Sequence, residues 1–430
     1  SYGDAARLYR RAIEAGRASG TEPARLAAVW EGLGLALGRT GEPRAAAQAF
    51  TVARRLFGDR APLDEVRLLY RHARVAERSG TLTAAVCWVN RGLRALDRLE
   101  APDAQAWRAR LGSVLAGIRG VRQGRLQEAV GLCRLAIADA EATGELRALA
   151  HACYVLDHSL VQSGRPEEAI YSPRALEIYR RLGDPEQESR VLNNLGVFAH
   201  FEGHWDEAID LYRQAAACSV RAGNAADAAY TDCNIGEILS DQGHLVEAAE
   251  HLRRAIRIWR STGDEQGVAW VKLLLGRLEV RAARHADGVA LLEQAWSELA
   301  RMRLDADANL AQGLRAEAEV FGGETARALE ITDGLLASPY RTTPLVRRVR
   351  GFAYQRLGRA GPAELEFTAS LAAARELRSG YDIAAALDAL EALGPSDPAR
   401  ALELAAMLER ARIVNVPSPP AVSQPLLSAV

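Results

Sequence analysis

Lysine is almost missing from this 430-residue chain: among 54 basic residues only Lys272 is a lysine. It follows Val271, so no Gly-Lys-Ser/Thr is present and the phosphate loop of nucleotide hydrolases is excluded. A surplus of one charge is missing too. The 54 basic residues meet 55 acidic ones, a formal net of −1, and nucleic-acid binders ordinarily carry a basic excess. A helical repeat that reads RNA would need a basic groove, so no nucleic-acid partner is expected. No apolar run approaches the roughly 18 residues of a membrane helix, and no signal peptide opens the chain. Cys87, Cys133, Cys153, Cys218 and Cys233 lie far apart without a Cys-x-x-Cys pair, which reads as reduced thiols in a cytoplasmic protein. His-Glu-x-x-His, Gly-x-Ser-x-Gly and a strand-borne Gly-x-Gly-x-x-Gly are all lacking. The expectation is a chain with no catalytic residues, no metal and no cofactor.

What is present is a repeat. With 49% hydrophobic residues the chain is apolar enough to fold throughout, yet too long for one ordinary core. Gly34 is followed 12, 16 and 19 residues later by Ala46, Phe50 and Ala53. Gly196 leads in the same way to Ala208, Tyr212 and Ala215, Gly236 to Ala248, Leu252 and Ala255, and Gly117 to Ala129, Cys133 and Ala136. Weaker copies start at Ala73, Asp157, Gly276, Ala316, Gly351 and Ala389. The pattern resembles the tetratricopeptide repeat, a helix–turn–helix unit with small residues where its two helices cross. It predicts an all-α, right-handed α-α superhelix of about ten repeats over residues 21–412. Residues 1–20 would be the second helix of a truncated repeat, and 413–430 a proline-rich tail, extended or disordered. The chain opens on Ser1 with the pattern already running, which reads as a piece cut from a longer protein.

The residue choice follows from packing. Antiparallel helices approach closely only where the contact residue is small, and the aromatic one turn further on fills the gap to the next helix. Gly41, Gly80, Gly124, Gly164, Gly203 and Gly243 should end the first helix of each pair in the left-handed conformation. Gly144, Gly183, Gly223 and Gly263 should end the second, with Asp184, Asn224 and Asp264 placed to cap the next helix. Softer joints are expected at residues 101–103, 338–344 and 394–398. Pro173 falls where an aromatic belongs, and proline inside a helix costs about 3 kcal/mol, so a kink or break is expected there.

Among candidate ligand-contacting residues, His200 and His204 are four apart but separated by helix-breaking Gly203, which favours a turn over a metal pair. Asn194 and Asn234 occupy equivalent positions, each two residues before a packing glycine. A carboxamide both donates and accepts, so it can hold peptide backbone whatever the side chains, or equally tie neighbouring helices together. The run Leu192-Asn193-Asn194-Leu195-Gly196 resembles kinesin light chain repeats, which implies a peptide-holding role for the asparagine. On the same inner faces lie His151, Tyr154, His158, Arg190, Asn193, Val197, His200, Tyr230, Glu237, Trp270 and Arg277, a mixture of aromatic, amide and charged groups suited to recognition. The lysine clamp of chaperone-binding repeats is not reproduced.

The runs 175–184, 193–203 and 234–243, with the closing 408–417, resemble the C-terminal repeat region of actinobacterial adenylate/guanylate cyclases that carry an AAA-type ATPase. That resemblance implies a non-catalytic sensor or docking region. Its partner would be a peptide, a protein, or the attached ATPase or cyclase domain. Other expectations are a self-assembling oligomerisation scaffold, or the repeat region of a transcription-regulating signal-transduction ATPase.

Overall fold

The computed structural model describes residues 2–58, 62–97, 99, 103–337, 343–394 and 397–419. Within them the chain is helical, without strands, and forms two compact units, residues 1–184 and 185–430. The anticipated joints at 101–102, 338–342 and 395–396, and the tail from 420 onward, lie outside the described residues.

In the first unit a single helix, α1 (Tyr2–Ala18), precedes four pairs. These are α2 (Pro23–Arg39) with α3 (Pro43–Phe57), α4 (Pro62–Arg78) with α5 (Leu82–Leu96), α6 (Asp103–Gly117) with α7 (Leu126–Thr143), and α8 (Leu146–Gln162) with α9 (Ser172–Arg181). The second unit begins with α10 (Pro185–Phe201) and α11 (Trp205–Arg221), then α12 (Ala225–Gln242) and α13 (Leu245–Thr262). It continues with α14 (Glu265–Arg281) and α15 (His285–Arg301), α16 (Asp305–Gly322) and α17 (Thr325–Leu336), α18 (Thr343–Arg356) and α19 (Ala360–Glu376), and α20 (Gly380–Leu393) and α21 (Pro398–Ala411). Consecutive helices pack on one another, so each unit is a stack of helix–turn–helix repeats.

The small residues sit where close approach demands them. A Cβ placed on Gly34 would come 2.5 Å from the Phe50 ring, and one on Gly196 2.6 Å from the Tyr212 ring. The aromatic sixteen residues on therefore lies directly over the glycine of its own pair. Leu252 and Leu292 take the same place over Gly236 and Gly276. First helices end on left-handed glycines, as at Gly41 (φ +81°) and Gly243 (φ +94°). Asn224 Oδ1 accepts the Asp227 N–H at 3.2 Å and Asp264 Oδ1 the Gly267 N–H at 2.9 Å, capping α12 and α14.

The Pro173 irregularity is a break. A short 3₁₀ turn (Pro166–Glu168) replaces the first part of the second helix, and α9 starts at Ser172 with the proline in its first turn, where no amide is needed. The missing cap comes from another helix. Buried Asp157 of α8 accepts the N–H groups of Tyr171 at 2.8 Å and Ser172 at 2.5 Å.

Apolar packing differs between the units. One continuous cluster runs through the second unit from Ala199 to Val416. The first unit holds smaller clusters, around Phe50, around Leu111 and around Leu156. Ile413 and Val416 belong to the large cluster, so the chain remains packed for several residues beyond α21.

Candidate functional site

The inner helices of the second unit, α10, α12, α14, α16, α18 and α20, carry its polar residues toward one another. Residues forty apart alternate in charge there: Glu237 on α12, Arg277 on α14 and Glu317 on α16. One turn later Asp241 and Arg281 repeat the pairing. Arg277 donates to Glu237 at 3.3 Å and lies 3.0 Å from Asp241, which also pairs with Arg281. Arg281 donates to Ser240 Oγ at 2.8 Å. Further along, Arg348 of α18 holds Glu317 at 3.3 Å and Asp382 of α20 at 3.0 Å. Both Arg277 and Arg281 also stand over the ring of Tyr381, at 5.0 and 5.1 Å, linking α14 to α20 three pairs away.

The arginines and Asp241 are largely removed from water, while Glu237 and Asp382 remain part-exposed. Asp241 retains 4% of its side-chain exposure and Arg348 also 4%, so neither charge is left to water. Burial alone would lower the Arg277 pKa, but Asp241, Tyr381 and Glu237 hold it above the usual arginine value. Arg348 follows the same logic: burial opposes its charge, while Glu317 and Asp382 raise its pKa. A buried charge is tolerable only when paired and hydrogen-bonded, and here the partners are built in. The deep inner face of this unit is consequently occupied by its own side chains.

The asparagines divide. Asn234 Nδ2 donates to Asn193 Oδ1 at 3.1 Å, tying α12 to α10. Asn194 Nδ2 is shielded from solvent and has no acceptor. Close by in the sequence, Arg190 is exposed and bridges Glu186 on its own helix at 3.2 Å. Tyr230 is 47% exposed, with its edge against buried Trp259 at 4.8 Å between centroids. His200 packs edge-on to Trp205, whose indole N–H donates to the His200 carbonyl at 3.0 Å. Trp270 and Val197 pack against the apolar cluster.

His151, Tyr154 and His158 belong to the first unit, where they form the part-exposed stripe of α8. His151 faces Tyr154 at 6.5 Å and approaches the Gly117 backbone of α6 closely. Burial lowers the His158 pKa. Tyr154 packs against the cluster around Leu156. The expected recognition residues are thus divided between the two units.

Asp241, Arg281, Arg348 and Tyr381 were not anticipated. The forty-residue register of opposite charges, Glu237 and Asp241 against Arg277 and Arg281, was the available signal. Among the described residues no group of three or more His, Cys, Asp or Glu side chains could hold a metal ion. None of the described helices is long and apolar enough to cross a membrane.

Two tetratricopeptide repeat profiles match the chain, one over residues 191–223 and one over 227–296. The helices α10 to α15 therefore carry tetratricopeptide repeats. Solved structures share the stacking. The apo form of RapI is 16% identical, with a TM-score of 0.52 over 66% of this chain and 98% of that one. A Rap protein complexed with competence and sporulation factor is 14% identical, with a TM-score of 0.52 over 83% of this chain and 99% of that one. Aspartyl phosphate phosphatase F from Bacillus subtilis is 12% identical, with a TM-score of 0.51 over 81% of this chain and 94% of that one. At such identities the likeness is one of fold. No curated protein matches the sequence.

Proposed function

We propose that the chain is a non-catalytic interaction module that binds an extended peptide or protein segment, with the second unit's contact surface at α10 and α12. One observation carries this reading: the Asn194 amide donor, removed from water yet without an acceptor. A buried donor left unmatched costs about 1–3 kcal/mol, and a ligand carbonyl would recover it once the Asn194 side chain turns outward on binding. Exposed Tyr230 and Arg190 on the same two helices supply the aromatic and guanidinium contacts that enrich binding surfaces. The bound factor in one solved neighbour of the same fold supports ligand binding by such a stack.

The site differs from the anticipated one. Glu237 and Arg277 are engaged with each other and with Asp241, and Asn234 with Asn193, which leaves Asn194, Arg190, Tyr230 and His200 as the residues offered to a partner. From the resemblance to cyclase-associated repeat regions we infer a cytoplasmic signalling role, in which binding biases an attached ATPase or cyclase domain. That requires different affinity for its two states.

The test starts from dodecapeptides selected by phage display on the full chain. Asn194→Ala should weaken the selected peptides about tenfold while the melting temperature stays level or rises. Unchanged affinity would refute the reading.

A self-assembling scaffold is favoured by one feature, the exposed Tyr2 (56%) and Leu8 (65%) on α1. Light scattering across concentrations decides: a monodisperse monomer removes it.

A further inference from the structure

Beyond the inner face, the second unit contains a non-helical segment already seated in a site. After α21 the chain turns sharply at Arg412 (φ +54°) and leaves helical structure. It then runs across the C-terminal ends of α10 and α12. Gln242, 3% exposed at the end of α12, grips it twice through main-chain atoms. Its side-chain Nε2 donates to the Ala411 carbonyl at 3.0 Å, and its own carbonyl accepts the Val414 N–H at 3.1 Å. Neither bond depends on the identity of the side chain held.

Side chains add selectivity. Arg412 pairs with Asp206 at the start of α11 at 2.8 Å. Ile413 and Val416, each 7% exposed, enter the apolar cluster, while Val414 between them is 76% exposed. Gly203 and Gly243, in the turns after α10 and α12, lie beside Arg410 of α21 and Val414, and a Cβ on either glycine would stand in ordinary contact with those side chains, at 3.5 and 3.6 Å. Main-chain bonds for affinity and pockets for spaced side chains, here three residues apart, are the elements of peptide recognition.

We propose that this seat is a docking site for a non-helical segment of the pattern Arg-Ile/Val-x-x-Val, filled in the free protein by residues 411–416 and open to a partner's segment of that pattern. Held by two main-chain bonds and two aliphatic anchors, the resident segment is an intramolecular ligand. Its attachment to α21 gives it a high effective concentration, so a competitor must be abundant or the resident weakened. Pro417 and Pro419 follow and lack amide donors, which limits further main-chain bonding beyond the seat. The proposal is independent of Asn194, since the seat is at helix ends, and either reading can fail alone.

The probe is a fluorescein-labelled peptide of residues 409–419 added to the full chain. Ile413→Asp with Val416→Asp should empty the seat and bind the probe at least tenfold more tightly than the unmodified chain. Adding Gln242→Ala should abolish that gain. A folded double variant that binds no better than the unmodified chain, or a gain that survives Gln242→Ala, overturns the proposal. Hydrogen exchange covers the case in which the double variant does not fold. A millimolar excess of unlabelled probe should speed exchange of the Val414 amide in the unmodified chain, and an unchanged rate overturns it. Dimerisation of the unmodified chain that is lost on Ile413→Asp would assign the seat to a second copy and likewise overturn the peptide reading.

Discussion

Adding one methyl group at Gly34 tests the packing rule on which every repeat depends. The new Cβ would stand 2.5 Å from Phe50 Cε1 and 2.7 Å from Cδ1, inside any real contact distance. Phe50 is 1% exposed and its ring meets His72 at 5.8 Å, so it has little room to retreat. Overpacking of this kind costs about 1–3 kcal/mol, against which alanine returns roughly 1 kcal/mol of helix propensity. Gly131 in α7 isolates the second effect, because nothing lies within 4 Å of a Cβ placed there. Gly131→Ala should therefore stabilise by about 0.5–1 kcal/mol, and Gly34→Ala should fall below it by about 1–3 kcal/mol.

Both sites are in the first unit, so one melting transition reads them. For a unit of this size the difference amounts to about 2–4 °C per kcal/mol. Scanning calorimetry of the two variants and of Gly34→Ala with Phe50→Leu completes the test. Leucine already covers Gly236 and Gly276 elsewhere, so the double variant should recover much of the loss as a favourable coupling. Equal melting of Gly34→Ala and Gly131→Ala would refute the claim that close helix approach selects glycine.

Asn234→Ala should lose about 0.5–1.5 kcal/mol in urea titrations by breaking the bond to Asn193, whereas Asn194→Ala should lose none. Arg348→Ala strands Glu317 and Asp382 and should cost about 3–5 kcal/mol by the same titration. Arg348→Met should cost less by refilling the space. Asp157 has its pKa raised above the ordinary 3.8 by burial, despite the opposing bonds from Ser172 and Tyr171. Its ionisation therefore weakens the fold as pH rises from 3.8 through the raised value. Asp157→Asn keeps the cap acceptor and should flatten that part of the stability–pH curve, while Asp157→Ala should cost about 1–2 kcal/mol.

How much could be read beforehand depended on the range of the interaction. Gly34, Gly196, Gly236 and Gly351 announced their helix pairs because each meets the residue sixteen positions on, whereas Gly117 is met by His151 of α8 instead of Cys133. The left-handed glycines announced the turns for the same reason. Pro173 announced a break, but nothing local pointed to Asp157 as the cap, which acts from another helix. The candidate site was less legible. Asn194 and Asn234 are indistinguishable by position, and only the three-dimensional neighbour Asn193 separates the satisfied amide from the unsatisfied one. Contacts such as Tyr381 with Arg277, or Gln242 with Ala411, bring together residues over a hundred positions apart and leave no periodic trace.

Those long-range contacts also bear on how binding could be felt at a distance. A stack whose repeats touched only their neighbours would have elastic, additive stability, and a ligand at α10 would hardly influence α20. In the second unit, Arg277 and Arg281 reach Tyr381 across the inside, and Gln242 and Asp206 hold the segment beyond α21. The last repeat is thereby joined to the third across the inner face, through Tyr381, and to the first two at the rim, through Asp206 and Gln242. Opening the unit must separate Arg277 and Arg281 from the Tyr381 ring and lift Ile413 and Val416 out of the apolar cluster. A ligand that binds this closed arrangement better than an opened one would stabilise it by that difference in affinity. Coupling is then expected from the closure itself and requires no chain of contacts along the repeats.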